Sequence, residues 1–486
     1  MSSTIESFFW YDLETFGTDP FNDRIAQFAG IRTDTDLNPI GDPVMLYCRL
    51  SPDYIPQRSA CAVTGIVPQT LKEKKAIPES EFIEQINSIF SVRGTCVAGF
   101  NNIKFDDEFI RNALYRNFLD PYEREYKNNC SRWDIINLVR ACHDLRPQGI
   151  NWPYSNEEKR PVFKLTAMTE ANNIEQVGAH DALVDVMATI AVAKLIKEKQ
   201  PRLYEYYLSL RDKKNVMNVL GLGRTGSRPV LYTNNAFRTE LGATTLILPL
   251  TVSNGISNNV ICINLAEDPA PLISAAGGRK EDLEKVIFDR DNPLVVRIAV
   301  NRIPFIAPAN TINEKDYVRL GIDRRICLQH METIVNHYAE LVSVLKDFTF
   351  GEQSQPVDPD CAIYSGFFSD YDKSLFRMIR RTEPARRLEL DLNFQDPRCR
   401  SMLWRHVCRN YPELLTPKQL ESWKYFAVNR LMSPPGGGYN IYQSEEDIKL
   451  ELNNPETDEK TKAIYSKLLE YLVALRKYLG MNDRAQ

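Results

Sequence analysis

Histidine is scarce in this chain of 486 residues, five in all, and the ten cysteines contain no C-x-x-C pair. Paired-cysteine zinc sites and a disulfide scaffold are therefore not expected, and the thiols fit a reducing cytoplasm. There is no long apolar run and no leader-like basic-apolar start, so neither a membrane span nor a secretory signal is expected. Positive charge is not in excess either: 60 Lys and Arg stand against 64 Asp and Glu, a net charge of −4. That balance excludes a general polycationic coat, so any contact with a polyanion must come from local basic strips. The glycines of Ser433-Pro-Pro-Gly-Gly-Gly-Tyr439 lack the strand, lysine and helix context of a phosphate loop, and no internal repeat is visible. What is plentiful is apolar residue, at 43%, enough over this length to build two to four domains with large cores.

Two acids one position apart, Asp12 and Glu14 in Phe8-Phe-Trp-Tyr-Asp-Leu-Glu-Thr-Phe-Gly17, lie in a segment that reads as a strand. Alternation puts Phe9, Tyr11 and Leu13 on one face and both carboxylates on the other. Such a pair repels itself unless a cation intervenes, and hard oxygen donors suit magnesium or manganese; a solvated edge strand is the alternative. Asp106 follows a short buried strand ending near Phe100 and opens a helical pattern through Phe109, Ile110, Ala113 and Leu114. By itself it could be an ordinary helix cap. In Gly178-Ala-His-Asp-Ala-Leu-Val-Asp185 a further helix begins, with Leu183, Val186, Met187, Ile190 and Ala193 at helical spacing. Asp185 is read as lying past the first turn, where the helix dipole no longer favours it, and so as needing a cation. His180 stands at the entrance of that helix, and Asp181 reads as its cap.

The set Asp-x-Glu, Asp, His-x4-Asp resembles the histidine-containing branch of the proofreading-type 3′-5′ exonuclease superfamily. The variant Glu14-Thr-Phe-Gly17 is similar to the bacterial exonuclease I family. So are Asp23-Arg-Ile-Ala-Gln-Phe-Ala, Val63-Thr-Gly-Ile66, Gly99 to Glu108, Ser131-Arg-Trp-Asp134, Arg146 to Pro153, and Tyr364-Ser-Gly-Phe-Phe-Ser-Asp370. The resemblance implies an α/β RNase H-like exonuclease domain over 1–197, an SH3-like β-containing domain over 200–354 and an all-helical C-terminal domain over 357–486. Patterning is consistent with this. Gln200-Pro201 opens a linker-like region. Strand-like runs follow at Pro229 to Thr233, Thr244 to Thr251, Asn259 to Leu265 and Leu294 to Val300, then a helix from about Arg324 to Phe348. The last helix, over Ile464, Leu468, Leu472 and Leu475, stops at Gly480.

The implied activity is processive 3′-to-5′ degradation of single-stranded DNA to 5′-mononucleotides, in repair and recombination. Two magnesium ions, with manganese as a substitute, would stabilise both ends of the displacement. Asp12, Glu14, Asp106 and Asp185 are the expected ligands, with Asp12 bridging and Glu14 also meeting the 3′-terminal hydroxyl. His180 is suited to take the proton of the attacking water at neutral pH. Lys164 falls where the family places a cationic substrate contact usually filled by Arg, and Thr64-Gly65-Ile66 would lie against the terminal base.

Single-strand binding needs cations and flat side chains. Arg111, Tyr122, Tyr126 and Arg140 are the candidate contacts, while Tyr115, Phe118 and Trp133 are assigned to the core. Lys213 and Lys214 would line a domain junction. The family also docks the acidic C-terminal tail of single-stranded DNA-binding protein, for which Arg146, Tyr206 and Arg228 are candidates. A monomer is expected. An RNA-trimming relative and a non-catalytic DNA-binding module stay open as alternatives.

Overall fold

A computed structural model describes residues 4–155, 157, 159–175, 182–222, 228–237, 239–254, 258–291, 293–348 and 358–482. The first of its two five-stranded sheets runs in the order β3-β2-β1-β4-β5. Its strands are β1 (Ser7–Thr15), β2 (Ile25–Thr33), β3 (Pro39–Tyr47), β4 (Thr95–Gly99) and β5 (Ser131–Asp134). β1 pairs antiparallel with β2, in register Trp10 to Ile31 and Asp12 to Ala29, and parallel with β4, Phe9 to Val97. The segment bearing the paired acids is thus the central strand, and the edge-strand alternative is excluded.

Alternation along β1 builds two different interiors. Phe9, Tyr11 and Leu13 join Phe28, Phe82, Phe90 and Phe109 in one cluster. Phe8 and Trp10 face the opposite way, into a cluster with Trp133, Val186 and Ile190. That second face is covered by the Ala182–Lys199 helix, which packs on β1 and β2. Its inward residues are Val186, Thr189, Ile190, Ala193 and Ile196, whereas Met187 is 42% exposed, contrary to its expected place in the apolar stripe.

The middle of the chain forms the second sheet, order β10-β6-β7-β8-β9, all antiparallel. β6 is Val230–Thr233, β7 Thr244–Val252, β8 Asn259–Asn264, β9 Val295–Ala299 and β10 Phe305–Pro308. Four of these match expected strands; β10, four residues ending in proline, carries too little pattern to be read locally. The expected linker at Gln200-Pro201 is instead helical. Proline sits at the first position of the Pro201–Ser209 helix, where its missing N–H costs nothing, and Tyr204 and Tyr207 are buried against Trp133. One hydrophobic cluster consequently runs from under β1 through these tyrosines to Leu246 and Phe305 of the second sheet. The helix expected over 324–348 is two, Arg324–Asn336 and Tyr338–Lys346.

The C-terminal part is helical and ends as expected, the Glu459–Leu479 helix closing on Gly480 in the left-handed region at φ 72°. It packs against the first sheet's surroundings: Leu468 and Leu472 share one hydrophobic cluster with Phe16 and Leu71, and Met402 shares another with Phe118, whose ring lies 4.9 Å from that of Phe376. Arg409 fastens the seam, 2.7 Å from Asp53 and 2.6 Å from Asp360 in a buried setting. No helix among the described residues is long and apolar enough to cross a membrane.

Candidate active site

As β1 advances, the face that carried Phe8 and Trp10 under the helix presents Asp12 and then Glu14. The row of side chains changes from aromatic to acidic where the strand reaches the first turn of the Ala182–Lys199 helix, and Asp185 is in that turn. Ligand oxygens of Asp12, Glu14 and Asp185 lie within 4.8 Å of one another. The expectation that Asp185 lies beyond the first turn is corrected: it sits where the helix N-terminus favours negative charge.

Asp106 is the first residue of the Asp106–Arg116 helix, and its Oδ1 accepts the backbone N–H of Leu13 at 3.1 Å. It is therefore tied to the strand between the two β1 acids instead of capping its own helix, whose cap position is Phe105. Burial, followed by the carboxylates of Asp106, Glu14 and Asp185, raises the Asp12 carboxyl well above its ordinary range. Burial likewise raises Asp106, with Asp107 and Asp134 adding to it against the backbone donors. Asp12, Glu14 and Asp185, with Asp106 close enough to raise Asp12, present a suitable oxygen donor set for hard divalent ions. His180 and Asp181 lie outside the described residues.

The neighbouring acid, Asp107, has a different role that local sequence did not reveal. It is fully buried, with Arg124 at 2.8 Å, Arg132 at 2.7 Å and the Tyr11 hydroxyl at 2.7 Å. Burial alone would raise its carboxyl, but Arg124, Arg132 and Arg111 hold it well below the usual range. The run Asp106-Asp-Glu108 was the available signal, since three successive acids at a helix start cannot all be caps.

Arg111 requires a correction. It is buried, its guanidinium forked onto Glu125 at 2.8 and 3.0 Å and joined to Glu108 at 3.0 Å, so it is not open to a strand phosphate. Tyr122 lies beneath that guanidinium, 5.2 Å from ring centre to carbon, and is partly exposed. Tyr126 is 64% exposed. Arg140 is half-buried and donates to Asn137 at 2.9 Å. Tyr115, Phe118 and Trp133 are buried. Lys164 is exposed at the start of the Leu165–Ala171 helix. Gly65, φ 70°, ends the Arg58–Thr64 helix in the left-handed region, and the Thr64 hydroxyl accepts the N–H of Ile66 at 3.1 Å. Lys213 and Lys214 are exposed, Lys213 bonding the Asn258 side chain at the foot of the second sheet.

The three partner candidates gather around one segment. Arg146 donates to the Thr311 carbonyl at 2.9 Å, and Tyr206 to that of Ile306 at 2.8 Å. Arg228 is exposed two residues before Val230, which pairs with Pro308.

Family profiles match the chain in three places: "Exonuclease" over residues 9–193, "Exonuclease I SH3-like domain" over 211–348 and "Exonuclease I C-terminal domain" over 357–475. Exodeoxyribonuclease I of Escherichia coli strain K12 is 39% identical over 422 residues, 86% of this chain and 88% of that protein. The chain belongs to the exonuclease I family. The crystal structure of E. coli exonuclease I with a dA16 oligonucleotide superposes with a TM-score of 0.90 at 35% identity, covering 97% of this chain and 100% of that one. A structure of SSB with exonuclease I and the inhibitor CFAM gives 0.88 at 35% identity, with 97% and 100% covered. The expected class holds: an exonuclease-type α/β unit, an SH3-like part and a helical C-terminal part, as in the exonuclease I structures.

Proposed function

We propose that this exonuclease I family member degrades single-stranded DNA from its 3′ end, processively, releasing 5′-mononucleotides by metal-dependent phosphodiester hydrolysis in DNA repair and recombination. The observation that carries the chemistry is the convergence of Asp12, Glu14 and Asp185 with Asp106 tied to Leu13 beside them. Kinship to exodeoxyribonuclease I, and to a structure solved with dA16, supports the substrate.

Asp12, Glu14, Asp106 and Asp185 are the residues to hold divalent cations, two magnesium ions with manganese as a substitute. Such ions, when bound, stabilise the negative charge that grows on the phosphoryl group and the leaving 3′ oxygen. Glu14 also receives the 3′-terminal hydroxyl, and His180 accepts the proton of the attacking water. Leu13, through its backbone N–H, keeps Asp106 aimed at the cluster. Thr64 and Gly65 lie against the terminal base, Lys164 contributes charge without the planar fork of arginine, and Tyr122, Tyr126, Arg140 and Lys213 follow the strand. Arg146, Tyr206 and Arg228 receive the C-terminal tail of single-stranded DNA-binding protein. The domain division 1–197, 200–354 and 357–486, a monomeric state and a cytoplasmic location complete the reading. The RNA-trimming and non-catalytic alternatives draw no support from the relatives described above.

The test is purified protein with magnesium on end-labelled single-stranded DNA, duplex DNA and RNA. Shortening of the single strand alone, abolished by a chelator, is expected. RNA degraded as fast as DNA would overturn the substrate assignment.

A further inference from the structure

Lys373, Arg377 and Arg380 follow one another at one-turn spacing along the Asp370–Arg381 helix. Another side of that helix, with Leu375, Phe376 and Ile379, is buried in the cluster that holds Phe118. The cationic row lines a cleft of about 390 Å³, whose other walls are the end of the Glu79–Phe90 helix and the stretch from Leu119 to Asn128. That stretch adds Lys127 and Arg124 to the lining, together with the carboxylates of Asp120 and Glu123. Five cations thus meet two acids in one cleft of a chain whose net charge is −4.

Both acids are already engaged, Asp120 with Lys373 at 3.3 Å and Glu123 with Lys127. Arg124 is fully buried: its Nη2 donates to Asp107 at 2.8 Å, while its Nε and Nη1 donate to no acceptor among the described residues. Arg377 and Arg380 enter no ion pair among those residues either. Arg377 is exposed, and half-buried Arg380 keeps its Nε out of water with no acceptor. Burial lowers the Arg380 guanidinium below its ordinary value, and Arg377 and Arg381 add to this against the pull of Glu84 and Glu123. A helix C-terminus favours cations in its last turn, which accounts for Arg380 and Arg381. It does not account for Lys373 and Arg377, which lie further back, where like charges one turn apart repel.

We propose that this cleft binds a short phosphate chain, with Arg377 and Arg380 as the guanidinium forks on its oxygens and Lys373 and Lys127 as flanking charge. The fork geometry matches phosphate oxygens in pairs. The row from Lys373 to Arg380 extends roughly 10 Å along the helix, more than a single phosphate occupies. A single strand of nucleic acid is the poorer fit, because it asks for open ring faces. Here Tyr115, Phe118 and Phe376 are buried, and Phe368 is covered by Tyr115 at 5.6 Å and by the Arg398 guanidinium at 4.5 Å. The chain can come from an inorganic polyphosphate or from the triphosphate of a nucleotide, which share this chemistry.

The test is calorimetric titration of the full-length protein with tripolyphosphate, ATP and inorganic phosphate, at low salt and in chelator so that no cation at the carboxylate cluster attracts the anion. Tripolyphosphate and ATP should each bind one to one, and inorganic phosphate at least several-fold more weakly. Tighter binding of ATP identifies a nucleotide as the ligand and equal binding a bare chain; both support the site. The double variant Arg377→Ala/Arg380→Ala should lose roughly 10-fold or more in affinity for the chain, the worth of at least one charge-assisted hydrogen bond. Arg377→Gln, at an exposed position, repeats the test should the double variant not fold. Anisotropy of labelled oligothymidylate in the same buffer should give the wild-type affinity for both variants. No binding of tripolyphosphate to the wild type, or equal affinity in wild type and variants, overturns the proposal. Loss of strand affinity in step with the anion also overturns it, since the cleft would then be part of a nucleic-acid path.

Discussion

Replacing Asp12 by Asn should stabilise the metal-free protein while destroying its response to metal. Asp12 sits among Glu14 and Asp185 with ligand oxygens within 4.8 Å, and two unit charges at that distance repel by about 3.5 kcal/mol at an effective dielectric of 20. Both aspartates are half-buried, so solvent screening reduces the net relief to roughly 1–2 kcal/mol. For a unit of this size that corresponds to about 2–8 °C in apparent melting temperature. The sign with pH follows from the raised Asp12 carboxyl. A group whose folded pKa lies above its unfolded value contributes stability fully below the unfolded value, near 3.9, and loses it as pH rises through the folded one. The metal-free wild type should therefore melt lower at pH 8 than at pH 5, and Asp12→Asn should flatten that slope. Differential scanning fluorimetry in chelator and then with added manganese reads both effects: the wild type gains several degrees with metal, the variant almost none. A variant that melts lower than wild type in chelator at pH 8, or that keeps the full manganese shift, would refute the placement of Asp12 in a cation site.

His180→Ala should lower turnover roughly 10²–10⁴-fold while leaving manganese affinity near wild type, as expected of a proton acceptor; a matching loss of metal binding, measured by calorimetry, would make it a ligand instead. Asp107→Ala removes the nearer carboxylate from buried Arg124 and Arg132, which keep only the Glu125 carboxylate at 3.8 and 3.1 Å, and should destabilise the fold by about 3 kcal/mol, the low end for a broken buried pair, seen as a large fall in the urea midpoint. A shift of only a few tenths of a kcal/mol would show the network to be dispensable. Arg146→Ala should weaken binding of the C-terminal tail peptide of single-stranded DNA-binding protein and spare cleavage of naked strands. Unchanged peptide affinity by titration calorimetry at low salt would remove it from the receptor.

Residue order alone carried the parts of this protein that depend on short-range periodicity and on chemically unusual residue types. Strand alternation put Asp12 and Glu14 on one face opposite Phe9, Tyr11 and Leu13, and the clusters around β1 follow that division. Four strands of the second sheet and the Gly480 stop were legible for the same reason, because alternation and a terminal glycine act within a few residues. Reading Gln200-Pro201 as a linker went wrong where local punctuation had two meanings: proline both breaks helices and starts them, and the burial of Tyr204 and Tyr207 against Trp133 decided between these. The fate of charged side chains was the least legible. Arg111 looked like an open phosphate contact, yet Glu125, Glu108 and the ring of Tyr122 enclose it. The roles of Asp106, Asp107 and Glu108 diverge although they are consecutive, because each meets a different partner: the Leu13 backbone, Arg124 with Arg132, and Arg302 with Tyr364. Those partners are distant in sequence and no period links them. The acids needed for a cation site were thus determined by sequence, whereas which carboxylates meet arginine and which meet one another was decided only by the tertiary fold. Charge compensation acts through space, over a few ångströms, and only folding sets which groups are neighbours at that range.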